Sequence, residues 1–94
     1  MQRLTIDRGD GKELAVVERS NDGALTLVRA SVLMRPDMER IIKIGLQEQV
    51  ETGTSGQSDY DIRTKRIRPN DPQFLEALVR FAQNYGFKAV IEEV

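Results

Sequence analysis

The residues that could do chemistry in this chain are few, and the first question is which chemistry they leave open. There is no histidine and no cysteine among the 94 residues. That removes the commonest general base, the commonest metal ligand, thiolate nucleophiles and disulfides together. An enzyme built from this sequence must work with Asp, Glu, Lys, Arg, Tyr, Ser and Thr alone. Asp59 and Asp61 are two apart, so on a strand both carboxylates project from one face, the minimal beginning of a Mg²⁺ or Ca²⁺ site. No further oxygen ligands stand at a recognisable spacing, and we expect neither a metal nor any other cofactor. The preceding stretch 52–58, TGTSGQS, is rich in glycine and hydroxyls that could cradle a phosphate through backbone amides. It lacks the Gly-Lys-Ser/Thr ending that leads a P-loop into its helix. A carboxylate-based enzyme using the loop 52–61 is the weakest of the functional readings, and catalysis is not expected.

The only concentration of charge is Arg63, Lys65, Arg66 and Arg68. Nucleic-acid binding through this segment is the second functional reading. Single-stranded recognition wants cations and stacking aromatics on one surface. A regular strand places Arg63 and Lys65 on one face and Arg66 and Arg68 on the other, and Tyr60 is the nearest aromatic. The plainer account is an edge strand whose cations discourage association. Convergence with Arg19, Arg29 and Arg35 in the fold would favour the nucleic-acid reading. Arg8-Gly9-Asp10 is the tripeptide that adhesion receptors recognise, but turn chemistry already accounts for every residue in it.

The elements that position these residues are legible from periodicity. Residues 71–85 carry Phe74, Leu75, Leu78, Phe81, Ala82 and Tyr85 at helical spacing, with Asp71 as a candidate N-cap, Pro72 at the first turn and Gly86 as the stop. Residues 87–94 then alternate, with Phe87, Ala89 and Ile91 on one side and Lys88, Val90 and Glu92 on the other. At the N-terminus, residues 3–7, 13–19 and 24–33 read as three strands of an antiparallel meander. The turns joining them are Arg8-Gly9-Asp10-Gly11 and Ser20-Asn21-Asp22-Gly23. Pro36 opens a helix extending to about Glu51, with Ile44 off its apolar stripe and Gly45 inside it. Residues 60–68 form the remaining strand.

The pattern β-β-β-α-β-α-β predicts one α+β domain over 1–94. The expected architecture has two layers, a five-stranded mixed sheet with both helices on one face. The net charge of −1 gives no global attraction to nucleic acid or membrane, and no apolar stretch approaches a membrane span. A cytoplasmic, soluble protein is the expectation. With helices on one side of the sheet, the opposite face should be polar in a monomer. Strands 13–19 and 24–33 are apolar on both faces, so a strip remains to be covered. The leading reading is therefore a non-catalytic interaction or assembly domain that forms a homodimer. Its contact is the face carrying Val17 and Val28, or their opposite-parity neighbours.

Overall fold

Alternation at the N-terminus and a wide apolar stripe near the C-terminus build the two layers of the computed structural model. It describes residues 1–52 and 61–94, with side chains for 1–49 and 64–94. The elements are β1 (Gln2–Asp7), β2 (Glu13–Arg19), β3 (Leu25–Ala30), α1 (Arg35–Ile44), β4 (Leu46–Thr52), β5 (Asp61–Ile67), α2 (Phe74–Asn84) and β6 (Lys88–Glu93). The main sheet has four strands in the order β3-β2-β1-β6, and every pairing in it is antiparallel. A separate two-stranded antiparallel sheet joins β4 and β5.

The fold is thus α+β, but the single five-stranded mixed sheet gives way to a four-stranded antiparallel sheet plus a hairpin. The difference begins at Gly45. The first helix stops at Ile44 rather than near Glu51, because Gly45 turns to φ +97° and ψ −174° while its N–H still bonds the Ile41 carbonyl at 2.8 Å. That backbone region belongs to glycine almost alone. The residues after it, read from the sequence as the helix's last turns, become β4 and give β5 a partner outside the main sheet.

Two further boundaries shift. β3 ends at Ala30, and Ser31 then closes a tight turn in which its carbonyl accepts from the Met34 and Arg35 N–H groups. Val32 and Leu33 sit in this turn at 90% exposure each. Before α2, Asp71 caps a turn rather than the helix itself: its Oδ1 accepts from the Gln73 N–H at 2.8 Å, and regular helix begins at Phe74.

One cluster forms the core. The sheet contributes Leu4, Ile6, Ala15 and Val17; α1 contributes Met38 and Ile41; α2 contributes Phe74, Leu75, Ala77, Leu78 and Ala82. Leu46 and Ile67, directly paired at the base of the hairpin, enter the same cluster and anchor it. Arg19 ties the sheet to the start of α2. Its guanidinium donates to the carbonyls of Pro69, Asp71 and Pro72 at 3.0, 2.8 and 3.2 Å. No helix among the described residues is long and apolar enough to cross a membrane.

Candidate interaction surfaces

The face of the main sheet that looks away from the core is set by alternation. Thr5 on β1 stands between Val16 on β2 and Val90 on β6, and Val16 stands next to Arg29 on β3. Val17, one of the two residues expected to mark a contact face, lies on the other side of the sheet at 0% exposure in the core. Val28 is 39% exposed and is the extra residue of a bulge between the Val17–Leu27 and Val16–Arg29 pairs. The bulge therefore separates Val17 from Val28.

The apolar strip on this outer face is narrower than strand parity predicts. Val16 is only 1% exposed although it stands outside the core cluster. Two ion pairs share its face: Arg3 with Glu18 at 2.7 Å, and Arg29 with Glu13 at 2.8 Å. Arg29 is the direct cross-strand neighbour of Val16, and an arginine stem covers apolar surface while its charged head stays in water. The hydrogen bond from Arg29 holds the Glu13 carboxyl below its usual pKa, and Glu13 in turn raises that of Arg29. Val28 and Val90 remain as the exposed aliphatics on these strands, with β2 and β1 between them.

The two edges of the sheet differ. At the β3 edge the bulge breaks the register, and Arg35 donates to the Ala30 carbonyl at 3.3 Å. Bulges and covered backbone are the usual protections of an edge. β6 has no bulge. It pairs with β1 over six consecutive residues without a shift, and its other side has no strand partner among the described residues. Beside it, Val79 on α2 with Ala89 and Ile91 lines a shallow apolar groove of about 480 Å³. Val90 is 53% exposed and Val94 60%.

The basic segment divides as strand parity requires. Lys65 lies opposite Glu48 on the hairpin face that also bears Leu46 and Ile67. Glu48 makes a bidentate pair with Arg80 of α2 at 2.9 and 3.1 Å, which raises the arginine pKa. Arg66 lies on the opposite face, across from Gln47. It lines one cleft of about 290 Å³ with Arg40, Ile44 and Phe81, and a second of about 480 Å³ with Lys43, Ile44 and Arg68. Among the described residues no carboxylate lines either cleft. The structure thus brings Arg66 and Arg68 together with Arg40 and Lys43, around an Ile44 that is 47% exposed. Two sequence signals point here: Ile44 off the α1 stripe, and Arg66 with Arg68 on one strand face. Arg19, Arg29 and Arg35 do not join this group; they are held by carbonyls, by Glu13, and by Glu39 at 3.9 Å respectively.

The β5 backbone includes Arg63, but its side chain falls outside the described set, as does that of Asp61. Residues 53–60, Asp59 and Tyr60 among them, lie outside the described residues altogether. Among the described residues, no group of three or more Asp or Glu side chains is placed to hold a metal ion. The Arg8-Gly9-Asp10 segment is a hairpin turn, in which Asp7 accepts from the Gly9 N–H and Asp10 from the Lys12 N–H. Compared with protein-family models, curated proteins and solved structures, the chain matches none.

Proposed function

We propose that the chain is a non-catalytic assembly module that works as a homodimer. The observation that carries this reading is the β6 edge: a regular strand with no bulge and, among the described residues, no strand on its outer side, flanked by the half-exposed Val90 and the Val79–Ala89–Ile91 groove. A regular edge offers unpaired backbone groups to another chain, and native proteins usually blunt such edges. Here a bulge interrupts the β3 edge, while β6 keeps its register and carries charges at Lys88, Glu92 and Glu93. The outer face alone supports the reading less well, because Val16 is already covered within one chain. Sedimentation equilibrium at micromolar concentration tests it. A mass of two chains is expected, and a mass near the 10.7 kDa of one chain would refute it.

A second reading, nucleic-acid binding, is favoured by one observation: Arg40, Lys43, Arg66 and Arg68 meet at adjoining clefts that no carboxylate lines among the described residues. Phe81 lines one cleft and packs on Tyr85, with ring centroids 5.0 Å apart. Tyr85 is 66% exposed, and base stacking uses such rings. Against this reading stand the net charge of −1 and the Arg40–Asp37 pair at 3.5 Å. Lys43 also lies in the last turn of α1, where a cation balances the helix dipole. Titration of mixed-sequence single- and double-stranded oligonucleotides at low salt decides. Binding that weakens, with a flatter salt slope, on replacing Arg66 and Arg68 together by Ser would support this reading. No binding at low salt would remove it.

A further inference from the structure

We infer that two copies of the chain pair antiparallel through β6 about a two-fold axis at Val90, extending the four-stranded sheet into a continuous eight-stranded one. This rests on the self-association reading above and adds the surface, the register and the charges that select it.

The register follows from backbone phase. The Val94 N–H donates to the Met1 carbonyl at 2.8 Å. Hydrogen-bonded and non-bonded pairs alternate along an antiparallel ladder. With Gln2 opposite Glu93 and Leu4 opposite Ile91, it follows that Lys88, Val90 and Glu92 direct their N–H and C=O groups inward to β1. Ala89, Ile91 and Glu93 direct theirs to the free edge. A second β6 can bond only if outward groups meet outward groups, so the two-fold axis must pass through a residue rather than between two.

Charge then chooses among the remaining registers. An axis at Ala89 sets Lys88 against the partner's Val90. An axis at Ile91 sets Val90 against the partner's Glu92, and an axis at Glu92 sets two carboxylates face to face. With the axis at Val90, Lys88 meets the partner's Glu92, Glu92 meets the partner's Lys88, and Ala89 and Ile91 exchange backbone hydrogen bonds. Val90 packs on the partner's Val90, which is the closely spaced type of pair. Lys88, Val90 and Glu92 are all exposed in one chain and share the outer face. Their neighbours there are Asp7, which faces Lys88, and Arg3, which faces Glu92 and is already bonded to Glu18. The charges that would shield β6 from unrelated strands are therefore self-complementary across a two-fold axis.

Charge reversal tests this directly on the full chain. Lys88→Glu and Glu92→Lys each replace two attractive pairs with two repulsive ones and should weaken the dimer about 10- to 100-fold by analytical ultracentrifugation. The double variant K88E/E92K restores the complementarity and should recover wild-type association. An equimolar mixture of the two single variants should form a heterodimer more tightly than either variant associates alone. Circular dichroism of each variant separates lost folding from lost pairing. A dimeric wild type whose single variants stay equally dimeric, or whose mixture shows no gain over its components, would overturn the β6 pairing and leave self-association standing. A monomeric wild type would overturn both.

Discussion

Gly45→Ala should damage this domain more than any other substitution of one small residue by another. Two causes act together. At φ +97° and ψ −174° a Cβ-bearing residue is strained by about 1–3 kcal/mol. In addition, a Cβ built on Gly45 would overlap the Ile67 carbonyl oxygen and lie 3.2 Å from Arg68 Cα. That obstacle is backbone, held by the Leu46–Ile67 pair whose side chains are both 4% exposed. It cannot yield without loosening the anchor of the hairpin, and forced shifts of this kind cost about 1–3 kcal/mol. A loss of roughly 2–6 kcal/mol is a large part of the 5–15 kcal/mol typical of a domain. For a chain of this length it corresponds to a fall in Tm of roughly 8 °C or more. The control is Gly23→Ala, at φ +91° but with nothing within 4 Å of the added carbon. It should cost only the strain, about 1–2 kcal/mol. Urea denaturation of both variants separates strain from close approach. A Gly45→Ala midpoint no lower than that of Gly23→Ala would refute the account of why α1 ends where it does.

The remaining predictions concern the core and one turn. Leu78 is fully buried under the sheet, so Leu78→Ala should cost about 2–5 kcal/mol; an unchanged denaturation midpoint would show that the packing face of α2 is misassigned. The Asp22 carboxyl is held below its usual range, first by the Ser20 hydroxyl and then by the Ala24 N–H. A depressed folded-state pKa contributes stability above the ordinary carboxylate range, and that stability is lost as pH falls through the folded value. Ser20→Ala should therefore raise the Asp22 titration midpoint measured by NMR; a midpoint that does not move would remove Ser20 as the main cause.

Much of the fold was legible because local signals and tertiary packing agree. Leu4 and Ile6 alternate against Thr5, and the apolar stripe of α2 from Phe74 to Ala82 is the stripe that enters the core. The turns at Arg8–Gly11 and Ser20–Gly23 bend as their glycines and carboxylates require. The hairpin was hidden because β4, LQEQVET, is built of residues that serve a helix as well as a strand. Its apolar positions continue the α1 stripe, and only the conformation of Gly45 decides between the two. That conformation answers to Ile67 and Arg68, more than twenty residues away, which no local window contains.

The candidate contact surfaces were legible to different depths. Parity correctly separates Lys65 from Arg66, but the convergence of Arg66 with Arg40 and Lys43 needs the end of α1 placed beside β5. Parity also places apolar residues on both faces of β2, but not which set is buried. Val17 went to the core, while Val16 is covered on the outer face, where Arg3 and Arg29 make their ion pairs. The alternation of Lys88, Val90 and Glu92 was visible throughout, yet its meaning depends on β6 being an edge, and strand order is set by the whole sheet.

The claim that this chain assembles with itself is most directly tested by its mass in solution. Sedimentation equilibrium of the wild-type protein, from about 1 to 100 μM to bracket a Kd in the micromolar range, should give a species of twice the 10.7 kDa chain mass. A single species of 10.7 kDa across that whole range would contradict the account.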